Sequence, residues 1–234
     1  MTDELFREDS YLKECDATVT AAAPGLVVLD RTVFYPTGGG QPGDAGVLVL
    51  PDGTEVAVRD TVKRDDAIVH LIADDTAPPA PGTKVTARID WDRRHRHMRM
   101  HSLLHLVCAA VPCRITGAQV GAEKSRIDFD TGEHMLDKEA LAAELNRLVD
   151  ADLKLSHRWV DEAELDTNPG LVRTMSVQPP RGAGRVRLME IADADLQPCG
   201  GTHVAHTGEI GRVAVAKIEN KGKHNRRVNV VLVE

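Results

Sequence analysis

The chain has 234 residues, 42% of them apolar and 28% charged, with a formal net charge of −7. That length holds one large domain or two small ones, and the balance is that of a folded protein rather than a disordered one. The charge argues against a protein that coats any phosphate backbone, no apolar run is long enough to span a bilayer, and the acidic first residues lack the pattern of a secretion signal, so the cytoplasm is the expected compartment.

The first ninety residues read as short strands punctuated by turns. Leu26 to Tyr35 is β-branched and apolar and stops at Pro36 and a glycine run; further strands are expected at Gly46 to Leu50, Glu55 to Val62, Ala67 to Leu71 and Lys84 to Ile89. Pro51-Asp-Gly53 and Pro78-Pro-Ala-Pro-Gly82 supply turns between them. Regular short strands with turn signals predict a small β-barrel or sandwich over residues 1–89. From Asp92 to Val111 apolar residues recur at helical spacing, and Pro112 marks the end. A second helix is expected from Asp137, as N-cap, to Leu155, with Leu141, Leu145, Leu148 and Val149 as its apolar stripe. Strands return at Val186 to Ala192, Arg212 to Glu219 and Arg227 to Val233, so residues 90–234 read as an α+β domain.

Four cysteines in this length do not make a disulfide scaffold, and Cys15, Cys108 and Cys113 read as small packed side chains. Cys199 differs. It opens Cys199-Gly-Gly-Thr-His203, and the first helix carries His101-Ser-Leu-Leu-His105. Residues four apart on a helix share a face, so His101 and His105 can grip one ion; Gly200 and Gly201 let the backbone fold Cys199 and His203 towards one point. Either pair alone is common among ordinary proteins. Together they offer three imidazoles and one thiolate, a donor set for a single tetrahedral Zn²⁺. The HExxH glutamate of a thermolysin-like peptidase is absent.

Phe34-Tyr-Pro-Thr-Gly-Gly-Gly-Gln-Pro-Gly-Asp44 is the second dense motif. It has neither the ending of a P-loop nor the spacing of a dinucleotide fingerprint, and taken alone reads as a tight turn between strands. Basic residues gather in three places: Arg88 to Arg99; Thr167 to Met189, with Arg173, Arg181, Arg185 and Arg187 and no acid; and Lys217 to Arg227, with Lys221, Lys223 and Arg226. In an acidic chain these suit a phosphate-rich partner. Aromatics at 3% disfavour base stacking and favour backbone and shape recognition of a folded RNA.

The residues carry a family resemblance over nearly the whole length. The chain resembles AlaX, the free-standing relatives of the alanyl-tRNA synthetase editing domain, at Glu8-Asp-Ser-Tyr-Leu12, the glycine motif ending at Asp44, His101 to His105, Arg126-Ile-Asp-Phe129, Cys199 to His203 and Lys217-Ile-Glu-Asn-Lys-Gly222. The resemblance implies an N-terminal small β-barrel (1–89) joined to a C-terminal zinc-binding α+β editing domain of the threonyl/alanyl-tRNA synthetase second-additional-domain type (90–234), of medium length within the family. It implies hydrolysis of serine, sometimes glycine, from misacylated tRNA(Ala), with contacts at the 3′ aminoacyl end and acceptor stem. By matching positions, His101, His105, Cys199 and His203 are the zinc ligands, Thr37 helps form the amino-acid pocket, and Gln119 corresponds to a pocket glutamine. Arg181, Arg185, Lys221, Lys223 and Arg226 are the candidate RNA contacts. Oligomeric state stays open, with a monomer as the starting assumption.

Two other readings fit the residues. One is a zinc-stabilised tRNA-binding module without hydrolysis, since four protein ligands describe a closed site. The other is a zinc hydrolase of small amides or esters, which leaves the basic segments unexplained.

Overall fold

The structure, a computed structural model, describes residues 2–65, 67–173 and 184–233. It divides into two compact units, Met1–Arg96 and His97–Glu234.

The first unit holds β1 (Asp3–Glu4), β2 (Glu14–Ala23), β3 (Leu26–Leu29), β4 (Arg31–Thr32), β5 (Gly46–Val49), β6 (Glu55–Val58), β7 (Asp60–Arg64), β8 (Ala67–Leu71) and β9 (Lys84–Ile89). Seven of these make one antiparallel sheet in the order β6-β5-β9-β2-β3-β8-β7. β2 organises it. Residues Glu14 to Thr18 pair with β9, and from Val19 to Ala23 the same strand pairs with β3, with a register shift between Val19 and Ala21 inside that second ladder. Such a shift bends a strand, and the sheet curls over a core that includes Val19, Val27, Leu29, Phe34, Leu48, Val56, Val85 and Ala87.

The expected barrel is not closed by hydrogen bonds: β6 and β7 are the sheet's two edges, and no ladder joins them among the described residues. The stretch Glu55 to Val62, expected as one strand, is two, separated by Arg59, whose N–H donates to Leu71 O at 2.8 Å. The chain therefore passes from one edge of the sheet to the other within a single residue. β2 itself was missed, because Glu14-Cys-Asp-Ala-Thr-Val shows its alternation only weakly: Ala17 and Val19 alone are buried.

The second unit takes most of α1 (Trp91–Ala110), then β10 (Arg114–Gln119), β11 (Ser125–Asp130), α2 (Lys138–Asp150), β12 (Leu155–Asp161), α3 (Glu162–Thr167), β13 (Arg185–Ile191), β14 (Asp195–Pro198), β15 (Val213–Asn220) and β16 (Asn225–Leu232). One antiparallel sheet has the order β10-β11-β16-β15 and another the order β12-β13-β14. α1 is buried nearly all round, with Met98, Met100, Leu103 and Leu106 fully covered, as expected of a core helix. Asp137 caps α2, its side chain accepting from Ala140 N at 2.7 Å, and the predicted stripe Leu141, Leu145, Leu148, Val149 is buried. The helix ends at Asp150 rather than Leu155. Asp152 turns the chain with φ +48, and Leu155 already belongs to β12. Among the described residues no helix is long and apolar enough to cross a membrane.

Candidate metal centre

α1 presents His101 and His105 one turn apart, with ring centroids 5.4 Å from each other. β14 leads into the Cys199 loop, which is braced from behind by β13. The Cys199 N–H donates to Arg187 O at 3.0 Å, and Arg187 Nη1 donates to Cys199 O at 3.1 Å and Gly201 O at 2.9 Å. Within the loop the Gly201 N–H points at Cys199 Sγ, 3.4 Å away. A buried cation holding two loop carbonyls fixes where the sulfur and the following histidine can lie.

The structure gathers all four residues. One donor atom from each of His101, His105, Cys199 and His203 lies within 4.8 Å of every other. Cys199 Sγ is 3.6 Å from His101 Nε2 and 3.2 Å from His203 Nε2. Donor atoms around a tetrahedral zinc stand about 3.3–3.8 Å apart, given its bond lengths to nitrogen and sulfur. The two distances from the sulfur and the donor chemistry fit that ion. The outward nitrogens are also engaged: His105 Nδ1 lies 2.9 Å from Asp195 Oδ2, and His203 Nδ1 lies 3.1 Å from Ser102 Oγ. Anchoring the far nitrogen of a ligating histidine is usual at metal sites.

Electrostatics point the same way. Burial opposes ionisation of Cys199, yet the neighbouring His101 and His203 hold its thiol well below the usual thiol range. Burial also opposes charge on His105, but hydrogen bonds to Asp195 and Cys199 carry it up to about 10. Burial, with His101 beside it, pushes His203 well below the ordinary histidine value. The cluster favours a thiolate next to positive charge. Cys108, behind it, is a packed side chain whose thiol burial pushes up to about 12.

The other predicted residues lie elsewhere. Thr37 is exposed in the first unit, and its Oγ1 accepts from Gly43 N at 2.8 Å. Around it the glycine motif is a built turn. Gly38 and Gln41 exchange backbone hydrogen bonds of 3.1 and 2.9 Å across Gly39 and Gly40, whose φ values of +55 and +83 suit glycine. Gly43 is constrained differently: a Cβ there would collide with Thr61 O. Asp44, closing the motif, is fully buried against Arg94. Gln119 is exposed at the end of β10, its Oε1 accepting from Arg126 Nε at 3.2 Å.

Arg185 opens β13 with its guanidinium over the Trp159 ring at 4.5 Å. Lys221 and Lys223 are exposed at the β15–β16 turn, where Arg226 Nη1 donates to Gly222 O at 3.2 Å. Lys221 also lies 3.8 Å from Glu219. Arg181 falls outside the described residues. Sequence reasoning missed Ser102, Arg187, Asp195 and Gln197. The last two had a signal: Asp195 and Gln197 alternate along β14, so they share one face, and Cys199 follows two residues on, just past the strand's end.

Residues 6–93 match the pattern of class II (A) tRNA synthetases, and residues 186–229 match the threonyl and alanyl tRNA synthetase second additional domain. Together with the His/His/Cys/His cluster, this defines a protein of the tRNA synthetase-related class. The alanyl-tRNA editing protein AlaX-M of Methanosarcina mazei is 37% identical over 100% of this chain and 98% of its own length. That of Saccharolobus solfataricus is 36% identical over 97% of this chain and 98% of its own. The alanine–tRNA ligase of Pyrococcus abyssi is 35% identical over 93% of this chain, which spans 24% of the ligase. The chain belongs to the AlaX family of alanyl-tRNA editing proteins.

Proposed function

We propose that this protein is a trans-editing deacylase that removes mischarged serine from tRNA(Ala), with Zn²⁺ held by His101, His105, Cys199 and His203. The reading rests above all on one observation: four donor atoms within 4.8 Å of one another, in a chain that AlaX-M proteins match from end to end. The reaction adds water to the acyl carbon and breaks the ester bond to the terminal ribose, releasing free serine and a 3′ hydroxyl. Zinc, when bound, supplies a fixed positive centre that orients the aminoacyl ester. Cys199 and the three histidines hold that centre, and Arg187 keeps the loop that carries two of them in place.

Specificity needs a hydroxyl test, because alanine is smaller than serine and no pocket excludes it by size. A site built to bond a substrate hydroxyl rejects the analogue that lacks one. Thr37 Oγ1 already accepts from Gly43 N, so its own hydrogen remains to be donated to the serine side chain. Glycine, if it is a substrate, is admitted by another route. Gln119 is assigned to the same pocket. Arg181, Arg185, Lys221, Lys223 and Arg226 are assigned to the RNA backbone near the acceptor stem. The domains are taken as 1–89 and 90–234, in a cytoplasmic protein.

The count of four protein ligands favours a second reading, a tRNA-binding module whose zinc is structural. Release of labelled serine from seryl-tRNA(Ala), with alanyl-tRNA(Ala) alongside, separates the two. Rapid release from the seryl species alone supports editing; tight tRNA binding with release from neither supports the module.

A further inference from the structure

β14 carries two side chains into the back of the metal cluster that belong to neither ligand motif. His105 Nδ1 meets Asp195 Oδ2 at 2.9 Å, and Gln197 Nε2 meets the same carboxylate oxygen at 2.6 Å. Gln197 Nε2 also lies 3.0 Å from His105 Nδ1. Both nitrogens carry hydrogens when Asp195 is ionised, so they converge on the carboxylate rather than bonding to each other. The three groups are sealed from solvent: the Asp195 and His105 side chains are 4% and 6% exposed, and Gln197 is buried.

Three consequences follow from that arrangement. The hydrogen on Nδ1 is fixed by an acceptor that cannot donate, so Nε2 is the nitrogen that gives up its proton and offers a lone pair when a cation enters the cluster. The ring can neither flip nor rotate without taking a hydrogen bond from a buried carboxylate. A carboxylate behind an imidazole also makes the imidazole a stronger donor to a cation in front of it. Gln197 completes the device by holding the same carboxylate oxygen that meets Nδ1.

We infer that Asp195, seated by Gln197, is a positioning residue that locks His105 as the anchoring ligand of the metal centre; this rests on the reading of the cluster as a metal site. It touches neither ion nor substrate and acts through the ring of His105.

The test measures zinc affinity of the full chain by competition with a chromogenic chelator, together with the visible spectrum of the Co²⁺-substituted protein. Asp195→Asn, of the same size, is expected to bind zinc about 10–100-fold more weakly, with a shifted cobalt band. Gln197→Leu is expected to show a smaller loss in the same direction. Zinc affinity of Asp195→Asn within about threefold of the parent, with an unchanged cobalt spectrum, overturns the inference. If Asp195→Asn does not fold, Gln197→Leu decides, with unchanged affinity and spectrum counting against. The proposed activity fails separately: a parent chain that binds zinc but releases no serine removes the deacylase reading and leaves the affinity comparison intact. A parent that binds no zinc overturns both.

Discussion

Replacing Arg94 with methionine would leave the Asp44 carboxylate without its counter-ion in a fully closed environment. Both side chains are 0% exposed. Arg94 Nε lies 3.1 and 3.0 Å from the two Asp44 oxygens, Nη1 donates to Ser10 O at 2.9 Å, and Nη2 donates to Val33 O at 2.6 Å. Asp44 in turn accepts the Tyr35 N–H at 2.7 Å, and its carbonyl takes the Thr61 hydroxyl at 2.9 Å. One guanidinium thus ties the start of α1 to the end of the glycine motif. Breaking a buried pair by removing one partner costs about 3–5 kcal/mol, mostly from the charge left behind. The remaining Tyr35 bond offsets part of that, and the lost bonds to Ser10 O and Val33 O add to it.

Arg94→Met should therefore lose about 3–4 kcal/mol, measured by urea unfolding. The two tryptophans, Trp91 and Trp159, fall one in each unit. A Trp159→Phe background makes the fluorescence report on the first unit alone. Adding Asp44→Asn should restore a substantial part of the loss, because the stranded charge is gone. The single variant should also recover relative to wild type as pH falls, since protonation relieves an uncompensated carboxylate. A loss below about 1 kcal/mol, or no recovery in the double variant, would refute the view that this pair holds the motif in place.

Buried His70 gives a second handle. Its Nδ1–H donates to Val27 O at 3.2 Å, its Nε2 meets Thr32 Oγ1 at 2.8 Å, and burial holds its pKa down at about 4. The unfolded state binds the extra proton between about pH 6.5 and 4. Stability should therefore drop as pH falls through that window, by up to about 3 kcal/mol, and a His70→Gln variant should flatten that part of the curve. Asp137→Ala removes the bond to Ala140 N and should cost about 0.5–2 kcal/mol in thermal or urea unfolding, whereas Asp137→Ser should keep most of it. Thr37→Val removes the acceptor of the Gly43 N–H and should cost about 0.5–1.5 kcal/mol in unfolding, while slowing serine release by at least tenfold; unaltered serine hydrolysis would remove Thr37 from the pocket.

The parts most legible in the sequence were those whose chemistry is local. A capping aspartate before an apolar stripe, histidines four apart and a cysteine and histidine astride two glycines each declare themselves within five residues or so, and the structure brings the two motif pairs together. Long-range pairing was harder to read. β2 is the hub of the seven-stranded sheet, yet its burial depends on partners far along the chain, and Ala17 and Thr18 carry little hydrophobic signal. Glu55 to Val62 has an unbroken strand composition, and only the place of Arg59 at a corner between sheet edges divides it. Arg94 and Arg187 look like members of basic surface runs; their burial is set by a carboxylate and by carbonyls that meet them only in the folded protein.

β14 is four residues long and, among the described residues, pairs only with β13, from Leu188↔Pro198 to Ile191↔Asp195. Its even rhythm sends Asp195, Gln197 and then Cys199 towards the histidines, while Leu196 packs against the Val160–Leu188 cluster on the other side. A shift of one residue exchanges the two sets, placing leucine and proline against the histidines and polar groups in the apolar layer. Length change in the Ala192–Ala194 turn is thus governed by parity. Losing or gaining one residue there dismantles the cluster, whereas an even change can leave the strand facing the right way. The spacing between β13 and the cysteine is in this sense as much a part of the site as the cysteine itself.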